Sequence, residues 1–245
     1  MKILCLGDSL TFGSVGHTYL SYLGSQISAV NKGKNGDTTR GAARRLKRYL
    51  RSPRYSDIST YVVSVGTNDL LGPYLATLSP FWKLIMKPRG IYKRCIYKDA
   101  TFASEYEKML FALERSNKKT VLVGLPYSEI EGIPLDRFRA RSAIIQELAA
   151  KHGIPFIDLY SLQLSAVEQP GTPYSWGFIG VVRVLDAATM LVAPRSKAWF
   201  PKLRDLRLTV DGIHFNALSA RMLGEEVSKV LLEEDESRTR QPLVQ

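Results

Sequence analysis

Three residues that could perform acyl chemistry lie at opposite ends of this 245-residue chain. Ser9 stands in the turn-rich segment 7–13 (GDSLTFG), and Asp211 and His214 stand in segment 211–216 (DGIHFN). A serine hydroxyl needs a base to become a nucleophile, and an imidazole base needs an acceptor on its second nitrogen to fix its tautomer. Asp211, three residues before His214, can fold back to supply that acceptor. These residue types therefore predict nucleophilic attack on a carbonyl group.

His214 is chosen as the base by elimination among the three histidines of the chain. His152 ends a helical pattern, and His17 is interpreted as a surface residue of the first helix, so His214 remains. A simpler interpretation of segment 211–216 is an Asp-Gly turn before a helix capped by Asn216. That interpretation explains Asp211 and Asn216 but leaves His214 without a role.

Three further positions could stabilise negative charge on a substrate oxygen. Ser9 begins a helix, where backbone N–H groups are free, although it could equally be an ordinary cap. Gly36, in the loop 31–38, lets backbone approach a ligand closely, but by itself this loop is a plain turn. Asn68 can aim a neutral amide donor into the same crevice, although alone it is more typical of a turn.

The elements that must position these residues follow a regular order. Short apolar runs bounded by Gly, Pro, Asn or Asp predict strands over 3–6, 58–65, 120–125 and 155–159. Helical periodicity predicts helices over 40–51, 104–116, 136–152 and 217–232, the last capped by Asn216. Alternating strands and helices are typical of a parallel sheet, where ligands bind at the carboxyl ends of strands. The motifs that follow the strands are therefore expected to share one crevice.

Two stretches, 71–101 and 160–207, break this order because they show no sustained period. Loops of this length are typically lids or binding surfaces, and short helices are the alternative. Both carry aromatic and basic side chains, among them Phe81, Trp82, Lys87, Arg89, Lys93, Tyr174, Trp176, Phe178, Arg195, Trp199, Phe200, Lys202 and Arg204. Such a surface suits anionic lipid or sugar, and the simpler interpretation is local packing with a solvated charged rim. The tail 234–245 has no apolar pattern and is expected to fray.

Composition narrows the class of protein. With 45% apolar and 23% charged residues, the chain is neither disordered nor collagen-like nor a disulfide scaffold, and Cys5 and Cys95 are expected to be free thiols. A net charge of +11 favours contact with something anionic, such as nucleic acid, a lipid headgroup or an acidic glycan. The apolar N-terminal run is too short for a signal peptide, and no later segment reaches the roughly 20 apolar residues of a membrane span. A cytoplasmic protein is therefore expected.

Taken together, four blocks resemble the SGNH, or GDSL-type, hydrolase family. They are a Gly-Asp-Ser-Leu block at 7–10, a glycine block at 31–36, a Gly-x-Asn-Asp block at 66–69 and an Asp-x-x-His block at 211–214, in the family's order. The resemblance implies a three-layer α/β/α sandwich with a mostly parallel, flavodoxin-like sheet. It also implies one domain over residues 1–233, with the two stretches at about 71–101 and 160–207 as insertions.

The resemblance also implies roles for individual residues. Ser9 would be the nucleophile, His214 the general base and Asp211 its orienting acid. The oxyanion hole would be formed by the Ser9 N–H, the Gly36 N–H and the Asn68 side-chain amide. Two further aspartates, Asp8 and Asp69, are expected to fix the loops that carry Ser9 and Asn68. No metal and no organic cofactor are expected.

The function that follows is a serine hydrolase cleaving small acyl esters of a sugar or a lipid through an acyl-enzyme. An acyltransferase using the same serine is the first alternative. A non-catalytic module that grips nucleic acid or membrane through the basic helix 40–51 and segment 83–98 is the second. Binding to phosphate gives no reason for the four blocks to occur together, so no nucleic acid partner is expected. The basic residues could still contact an anionic surface and so hold the enzyme near its substrate. The sequence does not indicate the oligomeric state.

Overall fold

The computed structural model describes residues 1–86, 94–169, 171–176 and 180–239. Lys87, Arg89, Lys93 and Phe178, and residues 240–245 of the predicted tail, lie outside this range. The strands are β1 (Lys2–Gly7), β2 (Ser28–Gly33), β3 (Thr60–Ser64), β4 (Lys119–Val123) and β5 (Phe156–Ile157). They form a sheet in the order β2-β1-β3-β4-β5 with every pair parallel, which is the flavodoxin-like order.

Helices account for most of the remaining described residues. The α-helices are α1 (Ser9–Phe12), α2 (Thr39–Leu50), α3 (Thr67–Leu78), α4 (Pro80–Met86), α5 (Asp99–Arg115), α6 (Leu135–Lys151), α7 (Leu159–Leu164), α8 (Gly180–Val192), α9 (Phe200–Leu203) and α10 (Ala217–Thr239). Asn216 caps α10 by accepting from Ser219 N at 3.0 Å, as predicted, and the helix continues past its predicted end at Leu232.

The sheet is covered on both faces, which explains why its strands are apolar throughout. Along β1, Leu4 and Leu6 pack into one core cluster, whereas Ile3 and Cys5 pack into the other. Successive side chains of a strand point to opposite faces, so the two clusters mark two layers of helix. Helices α2, α3, α5 and α6 pack on the first face, and α1, α7 and α10 pack on the second. The three-layer α/β/α architecture is confirmed.

The two insertions contain several short helices, as in the alternative to open loops, joined by irregular segments such as 95–98 and 171–176. The first continues α3 and adds α4, and the second forms α7, α8, a 3₁₀ turn at Pro194–Ala198 and α9. Trp82 of the first insertion stacks on Trp176 of the second with ring centroids 5.3 Å apart, and its Nε1 donates to the Trp176 carbonyl at 2.8 Å. The insertions therefore pack against each other, and several of their aromatic rings serve that contact.

The structure also describes the two cysteines and the apolar character of the helices. Cys5 and Cys95 are free and buried, and burial raises the pKa of both thiols to about 12. Within the ranges that the structure describes, none of the helices combines the length and the apolar character that crossing a bilayer requires.

Candidate active site

The turn after β1 places Ser9 at the edge of the sheet. Asp8 caps α1 by accepting from Leu10 N at 2.9 Å, and Ser9 is the first residue of the helix. The capping role that Ser9 could have had therefore belongs to Asp8. A Cβ atom at Gly7 would lie 1.9 Å from Thr11 Oγ1, so this tight strand-to-helix turn requires glycine.

Ser9, His214 and Asp211 form a continuous hydrogen-bonded chain. His214 Nε2 lies 3.0 Å from Ser9 Oγ, although 205 positions separate the two residues in sequence. His214 Nδ1 lies 2.7 Å from Asp211 Oδ2. A neutral imidazole fits both contacts if Nδ1–H donates to the carboxylate and Nε2 accepts the serine hydroxyl, which we assign from this geometry. The structure thus joins a hydroxyl, a base and an orienting acid by two consecutive hydrogen bonds.

Glu129 holds the loop that carries Asp211 and His214. Its buried carboxylate accepts from the backbone N–H groups of Arg207 at 2.7 Å and Thr209 at 2.9 Å. Its own N–H donates to the Gly212 carbonyl at 2.7 Å. Sequence reasoning missed Glu129, because a lone acid in a turn-rich segment has no pattern that would reveal its partners.

Arg183 of α8 contacts the same acid. Its side chain is buried, and Nη2 donates to Asp211 Oδ2, the oxygen that also accepts from His214 Nδ1. The guanidinium carbon lies 4.7 Å from the centre of the Trp176 ring, and Trp176 Nε1 donates to the Asp211 carbonyl at 2.7 Å. Sequence reasoning missed Arg183, because a single cation within an apolar run has no pattern that would reveal its contact with Asp211. The acid of the site is therefore held by two side chains from the second insertion.

Burial and nearby charge set the protonation of the imidazole. Desolvation lowers the pKa of His214 well below its ordinary range, the positive charges of Arg183 and Lys197 lower it further, and Asp8 opposes them. A neutral imidazole can accept a proton, so the lowered pKa keeps His214 in the basic form down to acidic pH. Burial also raises the pKa of Asp8 to about 7.

The three expected oxyanion donors line one cavity with His214. Among the described residues, the N–H groups of Ser9 and Gly36 donate to no backbone acceptor, and Gly36 has a left-handed φ of 68°. Asn68 Nδ2 donates to the Asp37 carbonyl at 2.9 Å and to Asp8 Oδ2 at 3.2 Å. The Asn68 amide is thus oriented by two protein acceptors, and a substrate oxygen would have to share its hydrogens with them.

Asp69 connects the start of α2 with the end of the first insertion. Its Oδ2 accepts from Thr39 N at 2.8 Å and its Oδ1 accepts from Ile96 N at 2.8 Å. Both bonds are buried, and they fix the backbone around α3, where Asn68 stands. Asp8 in turn accepts from Asn68 Nδ2 at 3.2 Å, so both aspartates contact the segments that carry Ser9 and Asn68.

Two sequence interpretations are wrong in detail. The hypothesis that the basic helix 40–51 contacts an anionic surface includes Arg45, but Arg45 is buried, with Nε 2.7 Å from Asp37 Oδ2 and Nη2 2.8 Å from the Gly7 carbonyl. The periodicity could have shown this, since position 45 lies beside Leu46 on the buried face of α2. His17 is not a surface residue of the first helix. It lies half-buried in the loop after α1, and its backbone N–H donates to the Phe215 carbonyl at 2.8 Å.

The cavity around the serine has a volume of about 730 Å³. Its polar lining includes Ser9, Gly36, Asn68 and His214 together with Lys34, Asn35, Asp37, Arg94 and Arg183, and the insertions also supply an apolar wall. The wall residues are Leu71, Leu75, Trp82, Ile85, Trp176, Val184 and Ala187. No cluster of three or more His, Cys, Asp or Glu side chains arranged to hold a metal ion occurs in the described part of the chain.

Comparison with known families decides the class of this protein. The model of the GDSL-like Lipase/Acylhydrolase family matches residues 5–221, which include all four blocks. The chain belongs to this family. It is a carboxylic ester hydrolase of the GDSL type, as the sequence predicts. A search of the curated proteins finds no match.

Solved structures of GDSL-type proteins share its fold. The lipase/acylhydrolase from Enterococcus faecalis has a TM-score of 0.57 at 20% identity, with 95% of this chain and 96% of that chain covered. A member of the lipolytic protein G-D-S-L family from Veillonella parvula has a TM-score of 0.59 at 15% identity, covering 95% and 98%. A catalytic mutant of an acetylxylan esterase from Geobacillus stearothermophilus has a TM-score of 0.57 at 15% identity, covering 93% and 92%. At these identities the likeness concerns the fold.

Proposed function

We propose that this GDSL-type hydrolase cleaves small acyl esters of a sugar or a lipid through an acyl-enzyme on Ser9. The observation that carries the proposal is the continuous chain from Ser9 Oγ to His214 Nε2 at 3.0 Å and from His214 Nδ1 to Asp211 Oδ2 at 2.7 Å. A nucleophile within reach of a base, and a base oriented by a third group, is the arrangement that activates a hydroxyl.

In the acylation step, Ser9 Oγ attacks the ester carbonyl carbon while its proton passes to His214 Nε2. The tetrahedral intermediate then collapses, the bond to the alcohol oxygen breaks, and His214 returns the proton to the leaving alcohol. In the second step, a water molecule attacks the acyl group on Ser9 and gives its proton to His214. The bond between the acyl carbon and Ser9 Oγ then breaks, His214 returns the proton to Oγ, and the carboxylic acid leaves.

The negative charge on the carbonyl oxygen would be stabilised by the Ser9 N–H, the Gly36 N–H and Asn68 Nδ2. All three residues line the cavity beside His214. Donors held in place before the reaction stabilise the transition state without reorganisation, and removing one such donor typically costs about 10²- to 10³-fold in kcat. Asp8 and Asp37 support this role because they fix the direction of the Asn68 amide.

The apolar lining of the cavity indicates where the acyl chain of the substrate lies. Leu71, Leu75, Ile85 and Val184 supply apolar surface to the cavity of about 730 Å³ that Ser9 also lines. Apolar walls hold apolar ligand groups by removing their surface from water. We therefore place the acyl chain along this wall and the alcohol part toward the open side.

The proposal is tested by the Ser9→Ala variant assayed with p-nitrophenyl esters from acetate to palmitate, beside acetylated xylan and lysophospholipid. Loss of turnover with an unchanged thermal unfolding curve is expected. Turnover equal to that of the unmodified protein would refute the role of Ser9. Addition of glycerol or a sugar as acceptor separates hydrolysis from acyl transfer, since transfer yields a new ester instead of free acid alone.

A further inference from the structure

Helix α8 has its polarity reversed relative to an ordinary surface helix. Its buried positions include the charged residues Arg183 and Asp186, which are 4% and 6% exposed. Its outward positions carry large apolar side chains, with Leu185 at 60%, Leu191 at 56% and Val192 at 87% exposure. A helix that faces water normally places its charges outward and its apolar stripe inward. The outward face of α8 is therefore suited to an environment less polar than water.

The buried charges of α8 are paired, which explains why they point inward. Arg183 donates to Asp211 Oδ2, and Asp186 Oδ2 accepts from Arg204 Nη2. These contacts fix the rotation of the helix about its axis. Because the inner face is set by ion pairs, the apolar side chains between them are left on the outside.

Large apolar side chains are also exposed in the segment that follows α8. Trp199 is 58% exposed and Leu203, in α9, is 64% exposed. Arg195 and Lys202, in the same segment, are exposed as well. Over residues 180–204 the sole acidic residue is Asp186, which is buried and paired. We call the exposed residues of 182–203 the α8–α9 face, an apolar surface with a tryptophan and cationic flanks.

We propose that the α8–α9 face is an interfacial surface that binds an anionic lipid bilayer and brings the mouth of the Ser9 cavity to it. Helices that lie in a bilayer interface present apolar side chains to the acyl region and cations to the headgroups, and tryptophan is enriched at that depth. Val184 and Ala187 of the same helix line the cavity, so the face and the cavity adjoin.

Charge favours a bilayer over a second copy of the chain as the occupant. A two-fold symmetric contact would bring the Arg195 and Lys202 side chains of one copy close to the same cations of the other. The net charge of +11 adds to that repulsion, whereas it attracts the chain to anionic headgroups.

The test is sedimentation of the full chain with vesicles of phosphatidylcholine alone and of equal parts phosphatidylcholine and phosphatidylglycerol. Binding to the anionic vesicles, weakened by salt, is expected. The double variant Leu185→Gln with Val192→Gln should bind at least about tenfold more weakly, because it removes two insertable side chains. Arg195→Gln with Lys202→Gln should bind several-fold more weakly and with a flatter salt dependence.

Matched controls lie on other helices. Phe111→Gln alters an exposed apolar side chain of α5, and Arg44→Gln with Arg48→Gln removes two exposed cations of α2. Vesicle binding of both controls should equal that of the unmodified chain. Unchanged thermal unfolding shows that each variant is folded, and this readout does not depend on esterase activity, so failure of the proposed function remains distinguishable.

Three outcomes would overturn the proposal. One is no binding of the unmodified chain to anionic vesicles at low salt. Another is equal binding by the Leu185/Val192 variant, or a loss that appears instead in the α2 control. The third is a dimer in solution that the Leu185/Val192 variant abolishes without any vesicle binding, which would make the α8–α9 face a contact between copies.

Discussion

Arg183 and His214 donate to the same oxygen, Oδ2 of Asp211. The acid therefore carries two cationic neighbours whenever His214 is protonated. A carboxylate already neutralised by a guanidinium stabilises an imidazolium less than a free carboxylate does. Burial is the main cause of the lowered pKa of His214, and the second insertion lowers that pKa further through Arg183.

Replacing Arg183 by methionine is expected to raise the pKa of His214. Removal of the positive charge favours the imidazolium, and burial, Lys197 and Asp8 remain as the other influences. Because the neutral imidazole is the active form, the acidic limb of the profile of kcat/KM against pH should move to higher pH, by about one unit or more. Initial rates with p-nitrophenyl acetate across the acidic range measure this shift.

Two variants control for packing. Arg183→Lys keeps the charge and should leave the acidic limb close to its original position. Arg204→Gln breaks the ion pair of Arg204 with Asp186 on the same helix without touching Asp211, so it should lower stability without moving the limb. An acidic limb that stays in place in Arg183→Met would mean that Arg183 is merely structural.

Asn68→Ala is expected to lower kcat by about 10²-fold or more, because it removes a donor to the oxyanion. The matched variant Asn35→Ala removes another amide that lines the cavity, one that exchanges hydrogen bonds with Ser14. Its kcat should change little. A change in Asn68→Ala confined to KM would exclude an oxyanion role for Asn68.

Asp8 should make stability depend on pH between about 4 and 7. Burial raises its pKa from 3.8 to about 7, so the folded state holds a proton there that the unfolded state has lost. Its contribution to the free energy of unfolding therefore falls as pH rises through this window, by up to about 4 kcal/mol. Urea unfolding of Asp8→Asn should show a gain in stability over the unmodified chain that grows with pH. A difference that is constant across the window would contradict the raised pKa.

Glu129→Ala is expected to destabilise the protein by about 2–4 kcal/mol, because it leaves buried backbone donors of the 207–209 segment without acceptors. Since that segment leads into Asp211, kcat should also fall. Glu129→Gln retains one acceptor oxygen and should lose less on both measures. Chemical unfolding together with initial rates tests this, and equal stability of Glu129→Ala would show that water replaces the carboxylate.

The sequence was sufficient for the parts of the fold that depend on local patterns. Strands buried on both faces are continuous apolar runs, and helices show their period, so the parallel sheet and its layers could be predicted. The motifs that carry Ser9 and Asn68 follow β1 and β3, so the pattern places both at one edge of the sheet. Asp211 and His214 follow no strand; they lie in the loop before α10, and only their residue types and the resemblance to the family pointed to them.

What the sequence did not show depends on partners far apart in the chain. Arg183 lies in a run that resembles any apolar helix, and its meaning appears only when α8 lies against Asp211. Glu129 is one acid among many until the 207–209 backbone is placed around it. Arg45 is the exception, since the periodicity of α2 already places it beside Leu46 on the buried side of the helix.

The central claim is that Ser9 is the nucleophile activated by His214. A fluorophosphonate probe, followed by peptide mass spectrometry, tests it directly because the probe reacts covalently with activated serine hydroxyls. A single adduct is expected on the peptide that contains Ser9, absent from Ser9→Ala and formed far more slowly in His214→Ala. An adduct on another residue, or equal labelling of Ser9→Ala, would contradict it.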